Sequence, residues 1–322
     1  MLKAGVIGAG HLGKIHLKLL KQSDKYELIG FFDSNAAASE AIEKEFGYKS
    51  FPTMEALIHA CDMVDVVTPT LHHYECAKKV IEAGKHLFIE KPITHTVEEA
   101  NIIRDLAKKY NVRGQVGQVE RFNPAFLAIK DTIKNPMFIE AHRLAEFNPR
   151  GTDVSVVLDL MIHDIDAILS VVDSEVIDIH SGGVAVISET PDIANARIEF
   201  KNGCVANLTA SRISLKKMRK IRFFQKDAYI SVDFLEKKCE VVKMKDAPEN
   251  PDDFAMILTN AEGVKKQIYF KNPDVEQNNA ILDELEAFAN SIHTDTVPIV
   301  SLTQGAEALR VAMKIIENFK KI

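Results

Sequence analysis

Short apolar runs and helix-period stripes alternate along the first third of the chain. Ala4–Gly8 is a run of the kind a buried strand needs, and Leu12, Ile15 and Leu19 then recur at helical spacing. Glu27–Phe32 predicts a second strand, Met63–Val67 a third, and Leu87–Glu90 a fourth that Pro92 closes. His73–Ala83 reads as a helix stopping at Gly84. Thr96 and Glu99 form a capping box before a helix that runs to about Tyr110. Val112–Gly117 predicts a further strand. Strands separated by helices are βαβ units, which means a parallel sheet.

The pattern changes after residue 120. Phe138–Ala145 predicts a strand and Val154–Val172 one long helix. Ala194, Ala196, Ile198 and Phe200 then alternate with polar neighbours. Asn202-Gly203 supplies a tight hairpin turn, and Cys204, Ala206, Leu208 and Ala210 alternate beyond it. Lys220–Gln225, Tyr229–Phe234 and Lys238–Met244 continue the series, so successive antiparallel strands are expected, with helices set apart from them. Two amphipathic helices end the chain, one carrying Ile281, Leu285, Phe288 and Ile292, the other Leu309, Met313, Ile316 and Phe319. The expected class is α/β: a doubly wound parallel domain over residues 1–120 and an α+β domain with a large open, mainly antiparallel sheet over 121–322.

At 322 residues the chain is long enough for two such domains. The formal charge of −6 argues against a nucleic-acid binder. Lys216–Lys220 is the only dense basic run and reads as a solvated turn and strand start. No apolar run is long enough to span a bilayer, so no membrane partner is expected. The first strand begins immediately after Met1, which leaves no place for a signal or transit peptide. Cys61, Cys76, Cys204 and Cys239 lack paired spacing, so neither disulfides nor a metal site is expected, and a reducing cytoplasm is.

Chemistry enters with Gly8-Ala9-Gly10-His11-Leu12-Gly13, a G-x-G-x-x-G element that follows a strand and opens a helix. Gly8 permits the tight turn, Gly10 the approach of a pyrophosphate, and Gly13 close packing of helix on strand. The helix start offers free N–H groups to the phosphates. Asp33 ends the next strand twenty residues after Gly13, placed to accept from ribose hydroxyls and to repel a 2′-phosphate. With neutral Ser34 beside it, this favours NAD over NADP. Flavin and S-adenosylmethionine proteins also use such loops. Thr68-Pro69, with His73 shortly after, and Glu90-Lys91-Pro92 stand at the carboxyl ends of two further strands, where open α/β sheets bind ligands.

Together with Asp159 and His163, these segments resemble the glucose–fructose oxidoreductase / inositol dehydrogenase family, along nearly the whole chain. The resemblance implies a Rossmann domain, a second domain whose open sheet builds a homodimer or homotetramer, and oxidation of a sugar hydroxyl. It also implies that His163 is the acid/base, that Asp159 orients substrate hydroxyls, and that Lys91 assists proton transfer. Asp159 and His163 are four apart, so in one α-helix they would share a face. The reaction needs a group that takes the hydroxyl proton near neutral pH. Histidine meets that need as a residue type, and a charged lysine stabilises developing negative charge.

Gln118, Arg121 and Asn123 at the expected junction, and the segment 158–166, look like the branch containing UDP-N-acetylglucosamine 3-dehydrogenases. Many members of that branch carry His at the position of Gln118. A nucleotide-sugar diphosphate would need cations, for which Arg121, Arg143 and Arg150 are candidates. A dehydrogenase of free polyols such as inositol would not need them, and a non-catalytic NAD-sensing regulator is the rival from another class.

Overall fold

β1 (Leu2–Ile7) is apolar and fully buried from Ala4 to Ile7, as a strand covered on both faces requires. In the computed structural model, which describes residues 1–148, 154–249 and 255–319, this strand is central to a parallel sheet. α1 (His11–Gln22) follows and packs a stripe of His16, Leu17, Leu19 and Leu20 inward. The alternation continues with β2 (Tyr26–Phe32), α2 (Ala36–Phe46), α3 (Met54–Ala60), β3 (Met63–Val66), α4 (His73–Glu82), β4 (His86–Glu90), α5 (Val97–Lys109) and β5 (Gly114–Gly117). The sheet order is β2-β1-β3-β4-β5 with every pair parallel. The capping box of Thr96 and Glu99 is formed at α5.

The later elements are α6 (Pro124–Ile129), β6 (Phe138–Leu144), α7 (Ile162–Leu169), β7 (Val176–Val184), β8 (Ile193–Phe200), β9 (Val205–Ser211), β10 (Met218–Gln225), β11 (Ala228–Asp233), β12 (Lys238–Asp246), β13 (Ile257–Thr259) and β14 (Lys265–Lys271). They build a nine-stranded sheet ordered β13-β14-β12-β11-β10-β6-β9-β8-β7. The β8–β9 hairpin turns at Asn202-Gly203 as its alternation predicts, with Gly203 at φ +86. The sheet is mainly antiparallel, as expected, with one parallel pair, β6 and β9. The chain leaves β6, forms α7, β7 and β8, and only then returns beside it.

The helix expected over Val154–Val172 forms without a break from residue 156 to 169, and its opening turn is wider than an α turn. Val157–Met161 forms a π turn, and α7 begins at Ile162. Asp159 lies in the π turn and His163 in the first turn of α7.

α8 (Ala280–His293) and α9 (Leu302–Glu317) close the chain. Two compact units result: Met1–Phe122 with Asn279–Met313, and Asn123–Asn278 with Lys314–Ile322. That grouping differs from a single division at residue 120, because α8 finishes the core of the first unit. Leu285, Phe288 and Ala289 are fully buried beside Leu17, Leu20, Phe31 and Phe88. Burial of a Leu or Phe side chain contributes about 1.5–3 kcal/mol. Polar ties add to it, with the Tyr26 hydroxyl donating to the Leu285 carbonyl at 2.6 Å and Gln115 Nε2 to the Glu284 carbonyl at 2.9 Å.

Candidate active site

In the parallel sheet, β2 lies on one side of β1 and β3 on the other, which makes the carboxyl ends of these strands a topological switch point. A cavity of about 710 Å³ opens there. Gly8, Gly10, His11 and Leu12 line it from the glycine loop, and Asp33 and Ser34 from the end of β2. Thr68 and Pro69 follow β3, and Glu90 and Lys91 come from the end of β4. The structure thus gathers most of the expected cofactor residues around one space.

The loop geometry follows from what a side chain would meet. Gly8 has φ +94, and a Cβ there would stand 2.8 Å from the Val67 carbonyl oxygen. A Cβ on Gly13 would stand 2.0 Å from the Gly8 carbonyl oxygen, so the α1–loop contact admits only glycine. Nothing lies within 4 Å of a Cβ placed on Gly10, which borders open cavity. Gly10 caps α1 without a side-chain hydrogen bond, and the first turn holds no acidic residue. The free N–H groups and positive dipole end are therefore uncompensated by the helix itself, an arrangement that fits a pyrophosphate. Asp33 fixes the loop against β2: its Oδ2 accepts the Ala9 N–H at 2.8 Å and its Oδ1 the Asn35 N–H at 2.9 Å. Each carboxylate oxygen keeps a second lone pair for a ribose hydroxyl.

Other expected residues stand elsewhere. His73 is 1% exposed and sits behind the wall rather than in it. Its Nδ1 lies 2.8 Å from the Pro92 carbonyl oxygen and its Nε2 2.8 Å from that of Thr68, so the ring straps two strand-end loops together. Burial pushes the imidazole pKa down, against the two carbonyls that favour its protonated form. The Lys91-Pro92 peptide is cis. Gln118 is buried, and its Oε1 has no hydrogen-bond partner among the described residues. Arg121 Nη2 donates to the Ile299 carbonyl at 3.3 Å.

In the second unit, Asn123 caps α6, its Oδ1 accepting the Ala125 N–H while Nδ2 donates to the Phe234 carbonyl at 3.0 Å. Each end of this amide makes a hydrogen bond that holds the start of α6 in place. The expectation for Arg143 is corrected: it is 2% exposed and donates to Asp164 Oδ1 through Nε at 3.0 Å and Nη2 at 2.7 Å. A buried guanidinium in such a pair is not offered to a diphosphate. Asp159 and His163 are partly exposed, and Arg150 lies outside the described residues.

Sequence reasoning missed His72, Met54, Glu75 and Cys76, which also line the cavity. Only His72 carried a signal, its position in the turn after Thr68-Pro69.

Comparison with known proteins agrees with this architecture. Residues 2–118 match the oxidoreductase family with NAD-binding Rossmann fold, and residues 107–231 match the GFO/IDH/MocA C-terminal domain. The chain is 33% identical to UDP-N-acetylglucosamine 3-dehydrogenase of Acidithiobacillus ferrooxidans, covering 98% of this chain and 96% of that one. A solved structure of the enzyme of that name from the same organism superposes with a TM-score of 0.88 at 31% identity, covering 99% of this chain and 97% of that chain. Myo-inositol 2-dehydrogenase of Thermotoga maritima is 24% identical over 96% of this chain and 93% of its own. With a Rossmann sheet, a nine-stranded second sheet and near full-length similarity at this level, the chain belongs to the GFO/IDH/MocA family of NAD(P)-dependent oxidoreductases acting on CH–OH groups.

Proposed function

We propose that this enzyme oxidises a secondary hydroxyl of a sugar or nucleotide sugar, with the 3-hydroxyl of UDP-N-acetylglucosamine as the best match, and that NAD is its cofactor. The observation that carries the substrate reading is the 33% identity to UDP-N-acetylglucosamine 3-dehydrogenase over nearly the full length of both chains. NAD is preferred over NADP because Asp33 lines the cavity, where its charge repels a 2′-phosphate, and no arginine lines it among the described residues.

In this reading the first unit holds the cofactor, and the second builds a homodimer or homotetramer through its open sheet. Bound NAD supplies the hydride acceptor. A ring nitrogen of His163 takes the hydroxyl proton, and Asp159 orients the sugar hydroxyls. The Lys91 ammonium, at the end of β4, stabilises negative charge on the oxygen as the proton leaves. Arg121 and Gln118 are kept as substrate contacts, with Arg150 as a further cation. A reducing cytoplasm suits the four free cysteines, all buried.

The test is NAD reduction with UDP-N-acetylglucosamine, UDP-glucose and myo-inositol in parallel. We expect turnover of the N-acetylated nucleotide sugar to exceed the others. Turnover of inositol alone would replace this reading with that of a polyol dehydrogenase. Full activity in both Lys91→Ala and His163→Ala would remove the assigned proton path.

A further inference from the structure

Behind the cavity wall formed by Glu90 and Lys91, a line of titratable side chains in the first unit has no part in the cofactor contacts described above. His16 of α1 and Asp65 of β3 are both fully buried. His16 Nδ1 is hydrogen-bonded to Asp65 Oδ2 at 2.8 Å, and Nε2 lies 3.3 Å from Glu90 Oε1, at ion-pair distance but without the alignment of a hydrogen bond. Glu90 reaches the cavity, and its other oxygen, Oε2, accepts the Lys91 N–H at 3.2 Å. Gly117 on β5 leaves room for this arrangement, since a Cβ there would stand 2.7 Å from Glu90 Oε1. The edge of the Phe88 ring packs against the imidazole, with centroids 6.0 Å apart.

A neutral imidazole has one N–H and would turn a lone pair toward one of the two carboxylates. An imidazolium donates to Asp65 and turns an N–H rather than a lone pair toward Glu90, and one cation between two anions avoids leaving a buried carboxylate without a partner. We propose that His16 is a charged positioning residue: clamped between Asp65 and Glu90, its imidazolium fixes the Glu90 carboxylate and, through it, the Lys91 backbone at the cavity wall.

The electrostatics agree. Burial works against the charge on His16, but Asp65 and Glu90 outweigh it and hold the pKa well above the ordinary imidazole range. Burial likewise pushes the Asp65 carboxyl up, and His16 opposes it. The other groups facing this line are Tyr26 of β2 and His73 of α4. Burial, then Asp65, pushes the Tyr26 hydroxyl up, with Glu286 of α8 adding to it, while His73 is within the field of Glu90.

The kinetic part of the test rests on the proposed dehydrogenase activity, and the spectroscopic part does not. In the full chain labelled with 15N-histidine, the His16 resonances are those lost in His16→Gln; should that variant fail to fold, they are those displaced in Asp65→Asn. Both ring nitrogens are expected to remain protonated at about pH 8, well above the ordinary imidazole value. A lone-pair nitrogen signal from His16 at that pH overturns the proposal, whatever the substrate proves to be. In kinetics, His16→Gln is expected to lower kcat about tenfold or more. It should move the rising limb of the pH–rate profile upward by half a unit or more, because the two carboxylates lose their cation. The melting temperature should fall, because buried carboxylates lose their cation, while the NADH affinity read by nucleotide fluorescence should change little. A lowered melting temperature with kcat and pH profile unchanged would mean that His16 only fills the core. If no sugar supports NAD reduction, the functional reading fails, and the nitrogen resonances still decide the state of His16.

Discussion

His73 shows how much one ring can carry. It spans the carbonyls of Thr68 and Pro92, both at 2.8 Å, and holds together two loops that face the cavity. The neutral ring donates one N–H to one of these two carbonyls, so His73→Ala is expected to cost about 1–3 kcal/mol for that bond, a loss that denaturant unfolding would measure. Because burial lowers its pKa, the contribution of His73 is complete above the ordinary imidazole value. It declines as the pH falls below about 6.5 and the unfolded chain takes up a proton more readily than the folded one. At Asp33, substitution by Ala is expected to weaken NAD binding about tenfold, equivalent to about 1.4 kcal/mol, and to narrow the gap to NADP, as paired titrations would show. The glycine loop and Asp33 are legible in the sequence because their constraints are local: turn, cap and strand end lie within a few residues of each other or at a fixed offset. The His16–Asp65 pair is not, since its members are 49 residues apart and meet only once the sheet forms. Arg143 misled for the same reason, because its partner Asp164 is 21 residues away.

Elements differ in how plainly their residues announce them. Buried parallel strands and capped helices such as α5 stand out. α2 does not, because only Ser39 and Ile42 are buried on it. Its signal lies in its ends, the Asn35 cap accepting the Ala38 N–H and Gly47 in the left-handed region. β14, reading Lys-Lys-Gln-Ile-Tyr-Phe-Lys, has no alternation to mark it. At the junction of β1 and α1, Gly13→Ala is expected to abolish measurable cofactor binding. Its methyl cannot coexist with the Gly8 carbonyl unless the loop moves, and calorimetry with NAD would show the loss. Between β7 and β8, Asp192 organises a whole connection. Its Oδ2 accepts the N–H groups of Val186, Ile187 and Ser188 at 2.7–3.0 Å, and its Oδ1 lies 3.2 Å from Arg212 Nε. Burial raises its pKa, but the backbone donors outweigh that and hold it well below the usual carboxylate range. Asp192→Ala should therefore cost about 3–5 kcal/mol, as for other broken buried pairs. In the intact protein this contribution is complete above about pH 4 and is lost as the pH falls further. Unfolding measured between about pH 3 and pH 7 would test both.

At the scale of the whole chain, the two-unit plan is visible from the change of pattern near residue 120. The return of Asn279–Met313 to the first unit is not, because an amphipathic helix does not name the core it will join. No helix among the described residues is long and apolar enough to cross a membrane. The nine-stranded sheet exposes Ile177 on β7 and Phe270 on β14, 62% and 66% accessible, apolar surface that fits the proposed self-association. We expect light scattering to give a multiple of the chain mass and Phe270→Asp to reduce it; a monomer at all concentrations would refute the assembly. The feature with the widest reach is α8. Phe288 meets the Phe88 ring at a centroid distance of 6.0 Å, and Tyr26 is tied to the Leu285 carbonyl. During synthesis the first 122 residues therefore emerge before α8 and must wait with this hydrophobic seam open while the 156 residues of 123–278 are made. The nucleotide fold becomes complete only once α8 has followed, so a fragment ending at residue 122 is expected to lack a cooperative unfolding transition, as calorimetry would show.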